Sequence, residues 1–176
     1  MDEDVAEEVR NFKKCLLKMH AAAGRGVVFM ETSLGGGLGA GKHAVIEAVP
    51  VPPAAAASAP MYFRKAIDEA ESEWTTHAAK RCIPTGGGAA GLRGAIPAHF
   101  PYFHVEFGLR DGFVHVIDEP HKWNPHFGRD VLIGLLDLPG EWTRARARRP
   151  SPPEAARHVR EFLDAWAPVD WTKALE

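Results

Sequence analysis

Apolar residues recur at Val5, Val9, Phe12, Leu16 and Met19, at spacings of four, three, four and three, which predicts one face of an amphipathic helix. Acidic residues crowd its first turns, Lys13, Lys14 and Lys18 come later, and Gly24 follows, so charge order and C-cap agree with the period. Val27 to Met30 is a short β-rich run. After the glycine-rich stretch from Leu34 to Gly41, residues His43 to Val49 read as a second strand.

The pattern then breaks. Pro50, Pro52 and Pro53 with Ala54 to Ala57 read as a linker or an extended edge segment, and a domain boundary is expected here, dividing the chain into 1–53 and 54–176. Ser58 and Pro60 open a helix with Phe63, Ile67, Ala70 and Trp74 on one face. Residues 83 to 98, rich in glycine and proline, are expected to form a loop that is mobile or ordered only by a partner. Phe103, Val105 and Phe107 alternate with Tyr102, His104 and Glu106, and Phe113 to Ile117 resumes β character beyond Gly108 to Gly112, which predicts a hairpin. Val131, Leu132, Leu135 and Leu136 mark a further helix. Ser151-Pro152-Pro153-Glu154 is a capping box opening the last one, whose predicted buried stripe is Val159, Phe162, Leu163 and Trp166. Beyond Pro168, Trp171 is expected to pack back on the body.

Composition narrows the function classes. The 176 residues carry 21 Lys and Arg against 23 Asp and Glu, a net charge of -2, so no global positive field draws nucleic acid and any phosphate contact is local. Two cysteines are too few for a disulfide framework or a four-cysteine zinc site and suit a reducing compartment. No apolar run approaches the ~20 residues of a spanning helix, so no membrane partner is expected.

Four motifs bear on chemistry. Gly36 to Lys42 fits the spacing of a phosphate-binding loop, but His43 replaces the hydroxyl that would hold Mg2+, and a strand follows where a helix should begin. His99, His104, His115, His121 and His126 cluster in sequence without the spacing of a zinc module, and Cys15 lies in a helix with no base beside it. Arg144, Arg146, Arg148 and Arg149 could meet RNA phosphates, with Tyr102, Phe103 or Trp123 stacking on unpaired bases; a solvated charged linker is the competing reading. The fourth motif, His43-x-Val45-x-Glu47, has the spacing of the histidine-triad signature, in which alternate histidines share one face of a strand. Only the first histidine is kept. Val45 stands at the nucleophile position and Glu47 at the third, so the covalent chemistry of triad hydrolases is not available to these residues.

The chain also resembles the C-terminal region of the CwfJ family, in particular its splicing-factor branch. The resemblance runs nearly end to end. It is carried by Asp2 to Val5, Phe29-Met30-Glu31-Thr32, His43 to Pro50, Pro60 to Ile67, Glu73-Trp74, Pro101 to Gly108, Gly112 to Ile117, His121-Lys122, Phe127-Gly128-Arg129 and Trp166 to Trp171. It implies an α+β fold in which an incomplete, degenerate histidine-triad-like half is followed by a small α+β domain with a β-hairpin and C-terminal helices. The family's first half has additional strands before the first helix, so a fragment or a shortened member with an uncovered sheet edge is expected.

The resemblance further implies a nuclear splicing protein whose partners are spliceosomal proteins, branched intron RNA and the lariat debranching enzyme, with no cofactor and no metal. On this reading the chain is a non-catalytic RNA- and protein-binding module. The candidate contacts are Lys42, His43, His104, His115, His121, Lys122, Arg129, Arg144 and Arg146. Two alternatives stand beside it: a phosphodiesterase or nucleotidyl hydrolase using a non-standard histidine, with His43 and His115 as the pair, and a protein-only scaffold for the debranching enzyme.

Overall fold

The computed structural model describes residues 3–34, 45–70, 82–86, 92–97, 99–139 and 150–174. Helix α1 (Glu3–Ala22) leads into β1 (Gly26–Ser33) and β2 (Ile46–Val51), and α2 (Pro53–Ala70) follows. Strand β3 (Ile83–Gly86) precedes the β4 (Tyr102–Phe107) and β5 (Asp111–Val116) hairpin, and the helices α3 (Phe127–Leu135) and α4 (Pro152–Trp166) close the series. The strands form one antiparallel sheet in the order β2-β1-β4-β5-β3. Strands from 1–53 and from 54–176 are therefore hydrogen-bonded neighbours, joined where β1 meets β4.

The mixed α+β architecture, the first helix, the β1 run and the hairpin follow the sequence pattern. The expected C-cap is present: Gly24 has φ 67, its N–H donates to the Ala21 carbonyl and that of Arg25 to the His20 carbonyl, which closes the helix in a Schellman turn. At the other end of the chain the Ser151 N–H and hydroxyl both donate to the Glu154 carboxylate, as the capping-box spacing predicts.

Three expectations are corrected. The Pro50 to Ala57 stretch is no linker: Pro50 and Val51 complete β2, an extended edge segment as the second alternative expected, but α2 begins at Pro53, a residue whose fixed φ and missing N–H suit the first helical position. Its alanines let the helix approach the sheet, since a Cβ at Gly26 would lie 2.6 Å from the Ala56 Cβ. Helix α2 then buries Ala59, Phe63 and Ile67, while Ala70 is exposed and Trp74 lies outside the described residues.

The loop expected over 83 to 98 contributes β3, which pairs with β5. Pro84 is tolerated because β3 is an edge strand. Gly112 makes the pairing possible, because a Cβ there would lie 2.5 Å from both the Thr85 hydroxyl and the Val105 carbonyl.

The third correction concerns α4. Its apolar stripe is present but not buried, with Val159 at 56%, Phe162 at 46% and Leu163 at 53% exposure. The helix lies outside α1, held where Trp166 stacks on Phe12 at 5.9 Å, and Trp171 packs its edge on the same ring. Trp171 thus packs back as expected. Phe12 is taken up by this contact, so α1 buries Cys15 and Met19 instead of its whole predicted stripe.

The sheet has two unlike faces. On one, Val28, Met30, Val51, Phe103, Val105 and Phe113 pack beneath Phe63 and Ile67 of α2 and Leu132 of α3. Burial of each large side chain in this layer contributes about 1.5–3 kcal/mol. The face toward α1 is more polar. There Lys13 pairs with Glu106, the Tyr102 hydroxyl donates to Glu31 at 2.8 Å, and Thr85 meets His104.

Candidate functional site

A cleft of about 160 Å³ opens at the β2 side of the sheet. Its floor is Met30 of β1 and Phe103 of β4. Val45 and Glu47 form one wall, Pro125, His126, Gly128 and Arg129 the other, and Glu31 and Thr32 close the end. Met30 is the register partner of Glu47, so alternation sets Val45 and Glu47 on the same sheet face as Met30.

The second wall is the start of α3, brought close by a glycine. A Cβ at Gly128 would lie 2.6 Å from Met30 Sδ and 3.0 Å from Phe103 Cε2, so any larger residue pushes this turn off the floor. Phe127 and Trp123 clamp it from beneath, with ring centroids 5.1 Å and 6.0 Å from that of Phe103. Asn124 fixes the approach to the helix: its Oδ1 accepts from the His126 N–H at 2.9 Å and its Nδ2 donates to Asp130 at 2.8 Å.

Of the sequence-predicted contacts, Arg129 is on the cleft wall and exposed. Lys42, His43, Arg144 and Arg146 lie outside the described residues. His121 and Lys122 share one carboxylate: Lys122 Nζ is 2.6 Å and His121 Nε2 3.6 Å from Glu119. The Lys122 hydrogen bond, with the nearby positive charges, holds the Glu119 carboxyl below its ordinary range.

The two hairpin histidines are not brought together. Phe103 pairs with His115 and His104 with Val114, so the imidazoles occupy opposite faces of the sheet. His115 is 2% exposed and stacks on Trp123 at 5.4 Å, while His104 is 6% exposed with its Nε2 3.2 Å from the Thr85 hydroxyl. Burial holds His104 down to about 4, so at neutral pH it is an uncharged core group. Neither presents a surface to a ligand, and the His43 and His115 pairing has one member sealed in the core.

Other reactive groups are similarly muted. Burial, reinforced by Asp68, pushes the Cys82 thiol up to about 11, away from thiolate chemistry. Burial and the neighbouring Glu31 raise the Tyr102 hydroxyl well above its usual range. Among the described residues no group of three His, Cys, Asp or Glu is placed to hold a metal ion, and no helix is long and apolar enough to cross a membrane.

Sequence reasoning missed His126, Gly128 and the constructive use of Glu47. The signal lay in Phe127-Gly128-Arg129: an aromatic anchor, a glycine for close approach and a cation, in that order.

Comparison with known proteins places this geometry. Residues 73–172 match the family profile described as protein similar to CwfJ C-terminus 2, and residues 1–64 match protein similar to CwfJ C-terminal. The chain is 35% identical over 175 residues to CWF19-like protein 2 of Homo sapiens, covering 99% of this chain and 19% of that protein. It is 30% identical over 181 residues to the pre-mRNA-splicing factor cwf19 of Schizosaccharomyces pombe, covering 99% of this chain and 27% of that protein. A more distant relative, zinc finger CCCH domain-containing protein 64 of Arabidopsis thaliana, is 26% identical over 174 residues, covering 97% of this chain and 27% of its own length. The chain thus spans about a fifth of the human relative and about a quarter of the other two. A cleft floored by two CwfJ-like segments at once, and matches to both profiles in order, lead to one statement: this chain belongs to the CwfJ C-terminal family.

Proposed function

We propose that this chain is a non-catalytic RNA- and protein-binding module of a nuclear pre-mRNA splicing factor, acting in the post-catalytic spliceosome and in lariat turnover. Its partners on this reading are spliceosomal proteins, branched intron RNA and the lariat debranching enzyme. The reading is supported by the splicing-factor name of the S. pombe relative. The observation that carries it is the cleft, where Val45, an apolar side chain at the triad's nucleophile position, faces a wall bearing Arg129 and His126. Such a site can meet an RNA phosphate through Arg129 while offering no nucleophile on the strand.

The test is fluorescence anisotropy with labelled branched and linear RNA. Arg129→Glu is expected to weaken binding across sequences and to lower the salt slope by about 1. Unchanged affinity and slope in that variant remove Arg129 from the interface. His126, an imidazole in the same cleft, favours one competing reading, a nucleotidyl hydrolase. Turnover of dinucleoside polyphosphate that disappears in His126→Ala would select it.

A further inference from the structure

The cleft has a chemical polarity that a simple phosphate site does not require. One wall carries the Glu47 carboxylate and the exposed Val45 side chain, the other the Arg129 guanidinium and the His126 imidazole, above the buried Met30 and Phe103. Glu31 also borders the cleft, but its carboxylate lies on the opposite face of the sheet, where it accepts the Tyr102 hydroxyl at 2.8 Å, which leaves Glu47 as the acceptor offered to a ligand. A purely anionic ligand would be repelled by Glu47, and a purely cationic one by Arg129. The occupant that satisfies both walls has N–H donors at one end and a negative charge at the other, with an apolar face to set against Val45.

Size restricts it further. The volume of about 160 Å³ is on the scale of one ring system. A base pair is excluded and an unpaired nucleotide fits. An ionised carboxylate only accepts hydrogen bonds, so it discriminates among bases by their donors. Guanine presents two adjacent donors on its Watson–Crick edge, N1–H and the N2 amino group, which match the two carboxylate oxygens. Adenine, cytosine and uracil place an acceptor beside each donor on that edge, which sets a lone pair against the carboxylate.

We infer that the cleft takes a single unpaired guanine of RNA, its N1–H and N2 amino group donating to the Glu47 carboxylate and its phosphate meeting Arg129. The inference rests on the RNA-binding reading above and adds a base preference to it. The base lies along the exposed Val45 side chain, where the close approach of α3 at Gly128 sets the width of the slot.

The experiment compares oligouridines carrying one central guanosine, inosine or adenosine, bound to the full chain and to Glu47→Gln. Glu47 is exposed, so the substitution leaves the fold in place, and matching melting curves check this. The guanosine probe is expected to bind about tenfold more tightly than the inosine probe, which lacks the N2 amino group, with the difference lost in Glu47→Gln. Equal binding of all three probes overturns the guanine inference and leaves the RNA-binding reading intact. Failure to bind any probe or branched RNA overturns both. A guanosine preference that persists in Glu47→Gln also overturns the inference, because another group then reads the base.

Discussion

Replacing His104 by Gln isolates the cost of protonating a buried imidazole. His104 is 6% exposed, and burial lowers its proton affinity from an ordinary 6.5 to about 4. Between those two values the unfolded chain binds a proton that the folded chain refuses. The unfolded state therefore gains as pH falls, and the contribution is fully present above 6.5 and lost on the way down to about 4. At about 1.4 kcal/mol per unit, the full span costs about 3.5 kcal/mol, of which about 2.5 kcal/mol is lost by about pH 4.5. Urea unfolding followed by tryptophan fluorescence at about pH 7 and about pH 4.5 measures it. The Gln variant keeps an amide within reach of the Thr85 hydroxyl and does not titrate, so its stability is expected to fall less on acidification than that of the parent, by about 2.5 kcal/mol. Equal losses in the two proteins would refute the reasoning, whatever their absolute stabilities.

Four further outcomes follow from packing. Gly112→Ala drives a methyl against the Val105 carbonyl and the Thr85 hydroxyl, both at 2.5 Å, and is expected to cost about 1–3 kcal/mol by denaturant titration, with β3 amides exchanging first. Gly128→Ala gains helix propensity but meets Met30 and Phe103, so a net loss of about 1 kcal/mol is expected together with weaker RNA binding despite the retained Arg129. Phe63→Ala empties a fully buried position stacked on Phe103 and is expected to cost about 3–5 kcal/mol in chemical denaturation. Trp166→Ala removes the ring on which Phe12 stacks. Limited proteolysis is then expected to release α4 early, while the hairpin amides keep their exchange protection.

The elements legible in the sequence are those whose evidence is local. The spacing from Val9 to Met19, Gly24 as a C-cap, and the alternation around Phe103 each declare themselves within a few residues. What the sequence hides are pairings between distant segments. Pro53 and the alanines after it read as a linker because nothing nearby says that Ala56 meets Gly26 across the sheet. The stripe on α4 is visible as a period, but its burial depends on a partner that periodicity does not name.

The candidate site follows the same rule. His104 and His115 look equivalent on adjacent strands, yet the register that pairs Phe103 with His115 sends them to opposite faces. Arg129 stands out in the sequence only through the Phe127-Gly128-Arg129 block that carries the family resemblance. Its placement opposite Glu47 depends on how closely α3 approaches Met30, a distance decided by the absence of one side chain at Gly128.

The bond ladder between β1 and β4 has a consequence for how such a protein can be divided. Six successive residues of each strand are joined there, from Val28 with Phe107 to Ser33 with Tyr102, and this seam lies between the stretches matched by the two family profiles. A gene break between them would leave each product with a raw row of amide and carbonyl groups along an apolar sheet, a template for aggregation. A cut between the two stretches is therefore expected to leave neither part folded on its own, although sequence profiles describe them as two.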